Sequence, residues 1–156
     1  MRWLVLVVVV AAAVLAAGGT ALAATVACNG GKCVGGDGPD TMLGSGGRDE
    51  IYSLKGRDLV RANAGEDFVN GDGGDDRLVG GRGDDTVHGS DSEDVVAGNP
   101  GNDRLIGGSG SDRIEAADGV RDAISCGNGP RDVVVFDSGL DRFPDGLSDH
   151  EVPKAR

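Results

Sequence analysis

Along residues 35–115 an apolar side chain returns at every ninth position: Met42, Ile51, Val60, Val69, Leu78, Val87, Val96, Leu105 and Ile114. Two places before each stands an aspartate: Asp40, Asp49, Asp58, Asp67, Asp76, Asp85, Asp94, Asp103 and Asp112. In register the stretch reads GGDGPDTML, GSGGRDEIY, SLKGRDLVR, ANAGEDFVN, GDGGDDRLV, GGRGDDTVH, GSDSEDVVA, GNPGNDRLI, GGSGSDRIE. The fourth place is glycine in every line except the one that carries Ser92. An apolar residue every nine positions walks around a helix of 3.6 residues per turn, so no helical face collects these side chains. Strand side chains alternate faces instead, which predicts a very short strand at places seven to nine with its middle residue inward. The glycine-rich remainder predicts a turn, where glycine supplies positive φ. One repeat buries a single apolar residue, so repeats must stack to make a core. The pattern predicts an all-β solenoid.

The repeat resembles the RTX, or haemolysin-type calcium-binding, nonapeptide G-G-x-G-x-D-x-U-x. The resemblance implies a right-handed parallel β-roll with two nonapeptide repeats per turn. It further implies Ca²⁺ between turns n and n+2 on one edge, held by the sixth-place aspartates and by backbone carbonyls. The implied metal ligands are then Asp40, Asp49, Asp58, Asp67, Asp76, Asp85, Asp94, Asp103 and Asp112. Odd repeats line one edge and even repeats the other. The strongest expected pairings are Asp76 with Asp94, Asp85 with Asp103, and Asp94 with Asp112. Ser53-Leu54-Lys55 and Ala62-Asn63-Ala64 depart from the pattern, placing side chains where backbone must approach an ion. Ser92 weakens the two sites that share its loop.

The donors in step with the period are all oxygen, with no histidine or thiolate among them. Such sites in flexible loops suit Ca²⁺, whereas Mg²⁺ requires tighter octahedral geometry. An EF-hand is excluded on spacing, because no Asp-x-Asp-x-Asp-Gly loop ends in glutamate at its twelfth place. Aspartate is also a common turn former without any metal. Yet the sixth place never carries Asn or Ser, and carboxylates stacked at a sheet spacing of ~4.8 Å repel without a counter-ion.

Charge adds to this. The chain has 26 acidic and 15 basic residues, a net charge of −11. Loss of residues 1–23 would remove one charge, Arg2, and leave the rest more negative still. About six divalent ions would neutralise it, a reason for folding to depend on metal. With 29 glycines and 3% aromatic residues, a largely unfolded ion-free chain is expected.

The N-terminus has Arg2, an apolar run from Trp3 to Ala17, a Gly18-Gly19-Thr20 break and the small-x-small site Ala21-Leu22-Ala23. This is the layout of a secretory signal peptide helix over residues 1–23. The alternative is a retained membrane anchor, but the run is short for a span. A lipoprotein signal at Val26-Ala27-Cys28 is opposed by Thr25, where a bulky aliphatic residue is usual. Residues 24–34 read as an N-terminal cap stapled by a Cys28–Cys33 disulfide, suited to an exported protein. A metal or redox pair would need a second cysteine pair or a nearby histidine. Cys126 is left to pack in a turn or to link two molecules.

Residues 116–135 form two looser coils, one residue longer each. The Asp-x-apolar signature persists in Asp122 with Ile124 and in Asp132 with Val134, and weak or absent metal sites are expected there. Residues 136–156 read as a C-terminal cap built on Phe136, Leu140, Phe143 and Leu147, with a polar, frayed tail from Ser148.

No catalytic constellation is visible, so the expectation is a non-enzyme. His88 falls on an outward place and His150 in the acidic tail. Ser90, Ser92 and Ser109 lack a histidine within reach. The acidic balance opposes nucleic-acid binding, and Arg77, Arg104 and Arg113 are placed to screen carboxylates. Three functions remain. The first is a secreted calcium-binding roll without catalysis or a membrane span in its mature form. The second is a cell-surface or matrix adhesion protein stiffened by calcium. The third is the remnant of an RTX toxin or protease.

Overall fold

The structure is a computed structural model and describes residues 23–145 and 152–155. Apart from Ala23, the expected signal helix lies outside the described residues, as does Leu147.

The glycine-punctuated repeats fold as fourteen short strands among the described residues. In chain order these are β1 (Thr25–Ala27), β2 (Gly31–Val34), β3 (Thr41–Leu43), β4 (Asp49–Tyr52), β5 (Leu59–Ala64), β6 (Phe68–Asn70) and β7 (Arg77–Arg82). There follow β8 (Thr86–Asp91), β9 (Val95–Ala97), β10 (Arg104–Ser109), β11 (Arg113–Glu115), β12 (Ala123–Gly127), β13 (Val133–Phe136) and β14 (Val152–Ala155). From β1 to β13 each strand skips its neighbour in sequence and pairs in parallel with the next but one, while β14 pairs in parallel directly with β13. One sheet runs β1-β3-β5-β7-β9-β11-β13-β14 and the other β12-β10-β8-β6-β4-β2. The result is a parallel β-solenoid of about six turns. Among the described residues there is no helix long and apolar enough to cross a membrane.

Register aligns the eighth places. Met42, Val60, Leu78, Val96, Ile114 and Val134 stack on one sheet. Cys33, Ile51, Val69, Val87, Leu105 and Ile124 stack on the other. From Met42 onward these apolar side chains are sealed from water. At about 1.5–3 kcal/mol per buried aliphatic side chain, the two facing files supply the apolar stabilisation of the fold. The places on either side of each inward residue point outward or toward the corners, as the period of two requires.

Several strands are longer than the three residues the pattern predicts. β5, β7, β8 and β10 each extend to six residues. Their ladders run on into the next repeat, as in the pairs Asn63 with Gly81 and Gly108 with Ser90. Stacked turns share one conformation, so their backbone groups meet and pair even where glycine predominates.

The ends differ from each other. Cys28 and Cys33 are bonded, with Cα atoms 5.7 Å apart. The bridge ties the turn after β1 to β2, joining the first strands of the two sheets. At the other end Phe136 and Phe143 meet edge to face at 5.2 Å and pack against the core. Leu140, expected in that cap, is instead exposed, because it lies in the tight turn closed by Leu140 N–H on the Asp137 carbonyl. The tail expected to fray contains β14, which pairs with β13 through Val133–Val152 to Phe136–Ala155. An unpaired edge leaves N–H and C=O groups open, and a further strand satisfies them. Cys126 lies in β12 with its side chain buried in the core.

Candidate metal centres

Places six and eight are two apart, so they share the inward face. Each sixth-place aspartate therefore turns under the corner where its strand begins. All nine are at most 4% exposed, which for carboxylates demands partners.

One oxygen of each is satisfied by the neighbouring turn. On one edge Asp58 Oδ1 accepts the backbone N–H of Asp40 at 2.7 Å, Asp76 that of Asp58 at 2.8 Å, and Asp94 that of Asp76 at 2.9 Å. Asp112 accepts that of Asp94 at 2.9 Å. On the other edge Asp67 accepts from Asp49 at 2.7 Å, Asp85 from Asp67 at 2.8 Å, and Asp103 from Asp85 at 2.8 Å. Each bond spans 18 residues. The ladders continue into the looser coils, where Asp122 accepts from Asp103 and Asp132 from Asp112, both at 2.8 Å.

The second oxygen is the informative one. In Asp58, Asp67, Asp76, Asp85, Asp94, Asp103, Asp112 and Asp122 the Oδ2 atom is buried without a hydrogen-bond partner. A file of such oxygens is costly unless a cation meets them. Asp40 and Asp49 are different. Gly36 N–H donates to Asp40 Oδ2 at 2.6 Å, and Asp49 Oδ2 receives Ser45 N–H at 2.6 Å and Ser45 Oγ at 2.9 Å.

Glycine at the first place lets the backbone pass close to these oxygens with no side chain against them. A Cβ on Gly80, Gly89 or Gly107 would stand 2.5 Å from Oδ2 of Asp85, Asp94 or Asp112, and one on Gly98 would overlap that of Asp103. Ser53 and Ala62, both buried, occupy the equivalent place before Asp58 and Asp67. Leu54 and Asn63 beside them hold positive φ, 75° and 76°, without being glycine. The pairs Asp76–Asp94, Asp85–Asp103 and Asp94–Asp112 are thus brought together in adjacent turns. An oxygen-only donor set of carboxylates and turn carbonyls fits Ca²⁺.

Electrostatics follow from the burial. Loss of water pushes Asp76, Asp94, Asp103 and Asp122 up to about 7, and Asp85 and Asp112 up to about 6. Backbone N–H bonds work against this rise, and the charges of neighbouring aspartates add to it. Asp58 and Asp67 are raised by the same burial.

A family profile for the RTX calcium-binding nonapeptide repeat matches four overlapping stretches, residues 34–69, 54–87, 70–105 and 88–120. The chain belongs to this family. Its RTX repeats are calcium-binding units, and the buried aspartate files are their carboxylates. No curated protein and no solved structure is significantly similar to the chain.

One acidic residue of the RTX solenoid escapes the nonapeptide register. Asp118, third in its coil, lies with Asp103 and Asp122 so that one carboxylate oxygen from each falls within 4.8 Å of the others. This is the one such trio among the described residues, and it sits where the sequence pattern predicts the weakest sites. The Asp118-Gly119 turn was its only trace in the sequence. His88 lies half-buried on the outer side of β8, away from the aspartate files.

Proposed function

We propose that this chain is a secreted, non-catalytic calcium-binding β-roll, right-handed with two nonapeptides per turn, which folds when it meets Ca²⁺ outside the cell. The observation that supports this is the file of buried carboxylates whose Oδ2 atoms lack partners while every Oδ1 is anchored. Asp76, Asp85, Asp94, Asp103 and Asp112 would hold the ions, with Asp58 and Asp67 in more crowded loops. Calcium supplies the positive charge that lets neighbouring turns approach. The chain supplies the rest: backbone N–H groups orient each carboxylate, and first-place glycines set no side chain against the second oxygen.

In the unfolded chain these carboxylates are solvated and far apart. Stacking them without ions sets like charges side by side in a poorly hydrated corner. Ion binding and folding are then one event, because no site exists until the turns stack. Extracellular modules of this kind bind at ~10⁻⁴–10⁻³ M, which suits a chain that leaves the cell unfolded and folds on export. The signal-like residues 1–23 and the Cys28–Cys33 bridge agree with that route.

Calorimetric titration with Ca²⁺, followed in parallel by far-ultraviolet circular dichroism, tests the reading. Several ions should bind with a gain of strand signal, and Mg²⁺ at equal concentration should do little. A spectrum unchanged by verified metal removal, with no heat on calcium addition, would refute it.

A further inference from the structure

The coil between β11 and β12 is longer than a nonapeptide, and the hydrogen bond from Asp103 N–H to Asp122 spans 19 residues in place of 18. The extra length carries Asp118 under the corner. Its N–H donates to the Ala116 carbonyl at 3.1 Å, and its Oδ1 accepts Val120 N–H at 2.8 Å. Asp118 Oδ2 is buried and has no hydrogen-bond partner.

The two neighbours are in the same condition. Asp103 Oδ1 accepts from Asp85 and Asp122 Oδ1 accepts from Asp103, while both Oδ2 atoms are buried without partners. Asp103 is 2% exposed and Asp122 is 1% exposed. The ion pairs among the described residues, Arg57–Asp75 and Arg113–Glu115, bring no cation to them. Three carboxylates each held by one oxygen, with the other buried and unanswered, leave a negative centre that the protein does not neutralise.

We propose that Asp103, Asp118 and Asp122 form a three-carboxylate site for a hard divalent cation in the coil that departs from the nonapeptide register. The choice of Ca²⁺ as its occupant rests on the reading of the chain as calcium-binding. Oxygens bound to one Ca²⁺ at 2.3–2.6 Å lie no more than about 5 Å apart, and the spacing within 4.8 Å meets that limit. The neighbouring even-edge site, Asp85 with Asp103, draws on two sixth-place carboxylates. Here a third-place carboxylate replaces part of the carbonyl set and adds one more negative charge. Affinity in oxygen sites rises with ligand charge, so this site belongs to the tightest class in the chain and fills first.

The test is calorimetric titration of the full secreted chain with Ca²⁺, comparing wild type with Asp118→Asn. The expected result is the loss of one ion from the tightest phase, or its weakening by at least ~10-fold. The strand signal at saturating calcium should match wild type, since Asn keeps the acceptor for Val120 N–H. Asp118→Lys serves as the second variant. Its ammonium stands in for the ion, so the chain stays folded and the same equivalent disappears. Unchanged stoichiometry and first-phase affinity in both variants, with normal binding by wild type, overturns this site alone. A wild-type chain that binds no calcium overturns it together with the calcium reading.

Discussion

Removing metal and then lowering the pH should fold this protein, the reverse of ordinary acid denaturation. In the metal-free solenoid Asp76, Asp94, Asp103 and Asp122 hold their protons up to about pH 7, against 3.8 for an ordinary aspartate. For one such group the folded state loses roughly 4 kcal/mol at neutral pH relative to the unfolded chain, and about half that once water at the corner screens it. The four groups are coupled, so these amounts do not add simply. A few of them still rival the roughly 5–15 kcal/mol that holds a whole domain together. The direction follows from which state binds protons more tightly. Here it is the folded state, so its stability is greatest below pH 3.8 and falls as pH rises toward about 7. The assay is a series of thermal melts on chelator-treated protein from pH 5 to pH 8, read by circular dichroism. Melting should be highest at pH 5 and vanish near neutrality, and millimolar Ca²⁺ at pH 7.5 should restore it. A metal-free chain more stable at pH 7.5 than at pH 5 would show that the buried carboxylates do not govern folding.

Asp94→Asn should loosen the dependence on metal, because its carbonyl still accepts Asp76 N–H while one buried charge disappears. Chelator-treated variant should melt above chelator-treated wild type, and calorimetry should count fewer ions. Gly74→Ala should cost about 3 kcal/mol or more, since Gly74 has φ of 123° and a Cβ there would collide with the Gly56 carbonyl. Gly46→Ala, with open space around the added methyl, should stay within about 0.5 kcal/mol of wild type, both variants being measured by denaturant titration of calcium-loaded protein.

Much of this architecture is readable one repeat at a time. The alternation of faces places Met42, Val60 and Leu78 inward and brings Asp40, Asp58 and Asp76 with them, because side chains two apart in a strand share a side. The nine-residue spacing and the absence of histidine or cysteine in step with it are enough to name the family and the class of ion. Local pattern also anticipates the Cys28–Cys33 bridge, five residues apart.

What the repeat cannot show is how each copy meets the one above it. Nor does it show how each turn closes on itself: nine aspartates stand at one place of the repeat, yet in Asp40 and Asp49 an N–H four residues earlier meets Oδ2, and the later ones have no such donor. Asp118 stands outside the period and becomes relevant because a longer coil folds it back against Asp103 and Asp122. The tail from Ser148 is polar in composition, but part of it forms β14 because the edge of β13 offers open backbone groups. Periodicity along the chain determined which face each residue takes, since that depends on its immediate neighbours. The partner of each Oδ1 and the seating of β14 on β13 were decided by stacking, since those partners lie 16 to 20 residues away.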